Sequence, residues 1–204
     1  MRLRQLAMQL SKLEACESRN LELEQYPTSG ELAARWMFDI AAFGDLWEGC
    51  SVADLGSGNG ILGIGALHLG ASRAIMIDSD AECCEVSRRN IRTISDSKIC
   101  DVLESDIASQ ELNIGPVDLV ISNPPWGRQK EGADAPFLDF IESSGVVSHL
   151  MHSANSKHIR PRFEKAGWHV EMYGEADFAI PAAFDHHRSS RGATRAGFWR
   201  LTPP

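Results

Sequence analysis

The feature that most constrains the fold is a series of short apolar runs, each ending in glycine, an acid or proline and each followed by a helical pattern. Residues 51–55 read as a strand that runs into Gly56-Ser57-Gly58-Asn59-Gly60, and 61–69 read as the helix behind it. The same unit recurs as a strand over 74–78 with a helix over 81–92. Further strands fall at 98–103, 117–122 and 145–151. Asp134-Ala135-Pro136 opens a helix through Ile141, with Pro at its first position. A helix near 156–166 ends at Gly167, with Pro161 disturbing its first turns. Strands at 168–173 and 197–201 close the chain as a hairpin-like pair. Alternation of this kind implies an α/β fold with a doubly wound, mainly parallel, seven-stranded sheet and a ligand at the strand C-termini.

Ahead of the sheet, Leu3, Leu6, Leu10 and Leu13 recur at helical spacing. A second helix is expected near Ser29, with Thr28 as cap, Glu31 reaching back, and Leu32, Trp36, Met37 and Ile40 on its apolar face. We therefore divide the chain into 1–28, a helix and covering segment, and 29–204, one compact domain. A length of 204 residues suits one sizeable core. No apolar run approaches the roughly 20 residues of a membrane span, and the N-terminus lacks a signal-peptide pattern. Cys16, Cys50, Cys83, Cys84 and Cys100 are odd in number and form no CxxC pair. That predicts free thiols in a cytoplasmic setting, without a zinc site or disulfide framework.

The glycine turn after 51–55 lets the backbone approach a ligand closely. Gly58 to Gly63 also matches the dinucleotide pattern G-x-G-x-x-G. Counted from Gly56, the first glycine of the turn, that spacing fails, and Asp54 would repel a pyrophosphate. A cationic sulfonium and ammonium would instead welcome the carboxylate, which points to S-adenosylmethionine. Asp78 closes the second strand, where it can accept both ribose hydroxyls. Asp80 competes for that role but reads as the next helix cap. Asp106 suits the adenine amino group, with Ile107 against the ring. Each acid alone fits an ordinary loop, and the ordered set carries the reading.

The fourth strand runs into Asn123-Pro124-Pro125-Trp126-Gly127. Its prolines fix the backbone and free the Pro124 carbonyl from the ladder. A planar amine is a poor nucleophile because its lone pair is delocalised. The Asn123 oxygen and the Pro124 carbonyl can accept its two N–H bonds and aim that lone pair at a methyl donor. Trp126 offers a stacking face, worth about 1–3 kcal/mol per base. A plain Pro-rich turn with Trp126 in the core is the competing reading.

Together these motifs resemble class I methyltransferases with an Asn-Pro-Pro-aromatic signature. More closely, the chain resembles the methyltransferase-like protein five family and its archaeal relatives, which methylate adenine N6 in small-subunit ribosomal RNA. The likeness covers nearly the whole chain. Leu23-Glu24-Gln25-Tyr26-Pro27-Thr28 resembles the family's cofactor-covering segment, and residues 134–138, Ile180-Pro181-Ala182-Ala183-Phe184 and His186 also match. The resemblance implies cofactor contacts from Gln25, Thr28, Gly56, Asn59, Ile61, Asp78, Asp106 and Ile107, with Asp54, Gly58 and Gly60 completing the turn. It also implies structured RNA as substrate and a small zinc-binding activator protein as partner, for which the third strand is the candidate edge. Trp126 stands where Phe is common in that group.

The net charge is -8, yet it is unevenly spread. Residues 149–204 hold 8 Lys+Arg against 5 Asp+Glu, and the rest 12 against 23. A basic C-terminal quarter suits RNA, and suits a solvated surface equally well. The alternatives to RNA are the side-chain amide of a protein glutamine and a non-catalytic cofactor-binding scaffold in ribosome assembly. His149 and His152 read as structural or solvated, without an acidic companion at ligand spacing, so no metal is expected. Trp36, Trp47, Trp168 and Trp199 read as core.

Overall fold

The computed structural model describes residues 1–16, 27–92, 99–110, 112–127, 130–178 and 194–204. In chain order these form α1 (Leu3–Leu10), α2 (Gly30–Ala42), β1 (Ser51–Leu55), α3 (Ile61–His68), β2 (Arg73–Asp78), α4 (Ala81–Ile91), β3 (Ile99–Glu104) and β4 (Leu119–Ser122). There follow α5 (Ala135–Ser144), β5 (Ser148–Ser153), α6 (Ile159–Lys165), β6 (His169–Phe178) and β7 (Thr194–Thr202). The seven strands make one sheet in the order β3-β2-β1-β4-β5-β7-β6. β1 to β5 pair in parallel, while β7 runs antiparallel to both β5 and β6. The doubly wound reading therefore holds, and the expected closing hairpin is β6–β7.

Strand periodicity sorts side chains into two layers. Val52, Ala74, Met76, Leu119 and Ile121 face a layer built on α1, α2 and α3. Their neighbours Ala53, Leu55, Ile75, Ile77 and Val120 face one built on Leu138, Ile141, Ile159 and Phe163 of α5 and α6. α1 belongs to the first layer, since Leu6 and Leu10 are fully buried there. Each such leucine contributes roughly 1.5–3 kcal/mol by leaving water. β3 lies at a sheet edge, as expected, with Ile99 exposed.

Several local expectations are corrected. Ser29, not Thr28, caps α2, its hydroxyl accepting from Leu32 N–H at 3.2 Å. Trp36, Trp168 and Trp199 are buried, but Trp47 is 46% exposed in the turn before β1. Cys16 and Cys83 are joined as a disulfide across a separation of 67 residues, while Cys50, Cys84 and Cys100 are thiols. Cysteine spacing could not reveal that pair, because docking of the N-terminal segment on α4 creates it. Glu14 makes the same docking contact, with Arg89 guanidinium nitrogens at 2.6 and 2.8 Å from its carboxylate. Among the described residues no helix is long and apolar enough to cross a membrane.

Candidate active site

The site lies where the strand order reverses, between β1 and β4. Leu55 pairs with Ser122 in the ladder, so the glycine turn and Asn123-Pro124-Pro125-Trp126 leave the sheet side by side. The Ser122 hydroxyl donates to Leu55 carbonyl at 2.8 Å and ties the two exits together. Gly56 and Ser57 N–H groups both donate to Ile77 carbonyl, folding the turn back over β2. Gly60, at φ 82°, starts α3, and an added Cβ there would meet Ser87 Oγ at 2.4 Å. Gly58, at φ 55°, would meet nothing within 4 Å. Gly60 is thus required by packing, whereas the space beside the Gly58 Cα is open to a ligand.

The three acids do line the ends of three adjacent strands, but in different states. Asp78 Oδ2 accepts from Gly58 N–H at 2.7 Å and Oδ1 from Asp80 N–H at 2.9 Å. Burial pushes its carboxyl up, against those hydrogen bonds. Asp80 caps α4 through Glu82 and Cys83 N–H, as the sequence implied. Asp54 is fully buried beneath the turn, so the expectation of an open carboxylate facing the ligand is corrected. Its Oδ2 accepts from Gly63 N–H at 2.8 Å, and its Oδ1 has no partner among the described residues. Burial, with Asp78 nearby, pushes this carboxyl up to about 7. Asp106 is exposed and accepts from Ala108 N–H at 2.9 Å, and Ile107 packs into the second core layer.

Other expected contacts are redirected. Asn59 spends its side-chain N–H on Glu14 carbonyl at 2.9 Å, and Asn90 donates to that carbonyl and to Asn59 carbonyl. Glu14 and Asn90, which the sequence did not single out, therefore brace the turn. Thr28 meets the motif itself, its hydroxyl accepting from Asn123 Nδ2 at 3.3 Å. Ile61 begins α3 in the core. Gln25, residues 180–184 and His186 lie outside the described residues.

Pro124 is buried and Pro125 half-buried. Trp126 is only 9% exposed, so it is not the open stacking platform expected. Its indole lies over the His152 ring, with centroids 6.0 Å apart and planes at 27°. Its Nε1 donates to Asn123 Oδ1 at 3.1 Å. Behind it, Asp134 Oδ2 sits 3.2 Å from His152 Nε2 and 2.5 Å from His158 Nε2. Against the desolvation that raises it, the two imidazoles hold the Asp134 carboxyl at about 2. Asp134 is thus the acidic companion that local spacing denied to His152, and the three ligand-type atoms lie within 4.8 Å of one another. The carboxylate reaches β5 from the start of α5, which only the tertiary fold can arrange.

Unpartnered buried oxygens on Asp54 and Ser57, an open Gly58 and the Asp78 carboxylate fit a cationic nucleoside cofactor at the turn. The fold and this strand-end constellation define a methyltransferase. Residues 43–152 match the family model of the methyltransferase small domain. The rRNA N(6)-adenosine-methyltransferase METTL5 of Danio rerio is 30% identical over 207 residues, covering 100% of both chains. The protein MJ0284 of Methanocaldococcus jannaschii is 34% identical, covering 90% of this chain and 86% of its own. The crystal structure of the candidate RNA methyltransferase PH1948 from Pyrococcus horikoshii superposes with a TM-score of 0.85 at 32% identity, covering 100% of this chain and 98% of that one. At the level of fold alone, magnesium protoporphyrin IX methyltransferase of Synechocystis with bound S-adenosylmethionine superposes with a TM-score of 0.61 at 19% identity, covering 83% of this chain and 77% of that one. The chain belongs to the methyltransferase small domain family and, within it, to the group of METTL5 and its archaeal relatives.

Proposed function

We propose that this chain transfers a methyl group to the exocyclic N6 of an adenine in structured RNA, with small-subunit ribosomal RNA as the substrate. The observation that carries this reading is the β1–β4 register, which sets an amine-accepting motif beside a cofactor turn. The METTL5 relatives supply the choice of adenine and of ribosomal RNA. The cofactor is S-adenosylmethionine, whose sulfonium provides an electrophilic methyl group. Asp78 binds its ribose hydroxyls, giving up contacts to Gly58 and Asp80. Ser57 and the Gly58 backbone border it, and Asp54 lies beneath the turn with its Oδ1 unpartnered.

At the acceptor, Asn123 Oδ1 and the Pro124 carbonyl take the two amine hydrogens and aim the nitrogen lone pair. A loop or single-stranded base is splayed into the pocket more readily than a paired one. The amine proton leaves after transfer, so no strong base is required. We place a small activator protein on the exposed β3 edge and the enzyme in the cytoplasm.

The test is transfer from labelled cofactor to unmodified small-subunit ribosomal RNA, followed by nucleoside analysis. Label in N6-methyladenosine is expected. Label only in protein, or in another nucleoside, would overturn the reading.

A further inference from the structure

An indole N–H is a donor only, whereas an asparagine carboxamide presents an acceptor at one end and donors at the other. The Trp126 Nε1 contact at 3.1 Å therefore fixes which way Asn123 faces. Oδ1 must turn to the indole, and Nδ2 is left for the Thr28 hydroxyl at 3.3 Å. A carboxamide oxygen carries two lone pairs, so one remains after Trp126 has taken the other.

We propose that Trp126 is a positioning residue, whose indole N–H holds the Asn123 carboxamide in the orientation that offers oxygen, rather than NH2, to the target base. The proposal rests on the amine-methylation reading above. It assigns Trp126 a part in specificity: an oxygen-presenting site accepts an amine edge, and a flipped amide would pair with a carbonyl edge instead.

The surroundings keep the indole in place. Its ring lies on His152, which is buried and 3.2 Å from Asp134. Asp134 is itself buried and engages His158 at 2.5 Å. Three elements thus back one N–H: the loop after β4, β5, and the start of α5. A stacking residue needs only a flat ring. This arrangement buries the ring and directs its one polar atom at the motif's first side chain.

Two changes remove the N–H while keeping an aromatic ring on His152. One is Trp126→Phe. The other is site-specific replacement of Trp126 by 3-benzothienyl-alanine, which has the shape of tryptophan with sulfur in place of N–H. Both are expected to lower kcat for RNA methylation by about ten-fold, the scale of one lost hydrogen bond. Cofactor affinity should stay near wild type. In parallel, the Trp126 indole N–H should exchange slowly with solvent in the wild-type chain and faster in Asn123→Ala, a readout that needs no acceptor. Equal exchange in both proteins, wild-type turnover in both Trp126 variants, or a rate loss matched by lost cofactor affinity would overturn the proposal. A wild-type chain with a protected N–H that methylates no RNA would sink the RNA reading while upholding the indole clamp.

Discussion

The ligand end of the sheet and the β5–β7–β6 half both bury titratable groups, and they treat them in opposite ways. In the antiparallel half the groups gathered around His149 are matched. Trp36 Nε1 donates to Tyr173 hydroxyl at 2.8 Å, which meets His149 Nδ1 at 2.9 Å. His149 Nε2 lies 2.9 Å from Asp45 Oδ2, and Arg200 binds both Asp45 oxygens at 2.6 and 3.0 Å. Despite desolvation, His149 and Arg200 hold the Asp45 carboxyl at about 2. Burial lowers His149, so a neutral ring that receives at Nδ1 and donates at Nε2 completes the chain. At the ligand end, Asp54 has an unpartnered oxygen and a carboxyl raised to about 7. A satisfied network serves stability. A buried acid left unmatched beneath a ligand-binding turn marks a functional site.

The largest effect expected is catalytic. Asn123→Ala should cut methyl transfer by about 100-fold to 1,000-fold, as loss of a placed polar group does elsewhere, with cofactor affinity retained. A matching loss of cofactor affinity, read by calorimetry, would move Asn123 out of the acceptor site. In the other region, Asp45→Ala strands Arg200 and His149 and should cost about 3 kcal/mol in urea unfolding. Its effect on turnover of the folded fraction should be small. If activity falls while stability holds, the contrast between the two regions breaks.

Asp54→Asn sharpens the comparison through pH. The folded acid keeps its proton up to about 7, whereas the unfolded one releases it near 3.8. The folded state thus binds more protons between those values, and wild-type stability declines as pH rises through that window. Asn cannot ionise, so the variant should gain steadily on the wild type as pH rises from 4 to 8, read by urea unfolding at each pH. A pH-independent gap would mean that Asp54 is ionised throughout.

The smallest effect belongs to His149. Its folded pKa lies below the ordinary 6.5, so below that pH the unfolded chain takes up a proton that the fold refuses. Stability should fall as pH drops below 6.5, and His149→Gln should flatten that slope. An unchanged slope in the variant would place the acid sensitivity elsewhere.

Legibility in the sequence followed the range of the interaction. Strand periodicity, the glycine turn, the Asp80 cap and Asn123-Pro124-Pro125-Trp126 are local signals, and each is where the sequence puts it. Pairings across many residues left no trace: His149 with Asp45, Cys16 with Cys83, Asp134 with His152 and His158, Glu14 with Asn59. Each depends on two elements meeting, which composition and spacing do not encode. The Asp54 expectation had the right residue in the wrong setting, because the alternation of β1 turns that side chain under the layer carrying α3. Trp126 departs for the same reason. Aromatic character is visible in a sequence, while burial of the ring is decided by β5 and α5.

The pairing of Leu55 with Ser122 has a consequence for how such enzymes diversify. Backbone hydrogen bonds, indifferent to side-chain identity, fix the spacing between donor turn and acceptor motif. The sheet acts as a ruler, and residues past Ser122 can be exchanged without recalibrating the turn past Leu55. A one-residue slip of that register would instead turn β4 inside out relative to β1. New acceptors are therefore most readily reached by substitution beyond the ruler's end, and least readily by insertion along it.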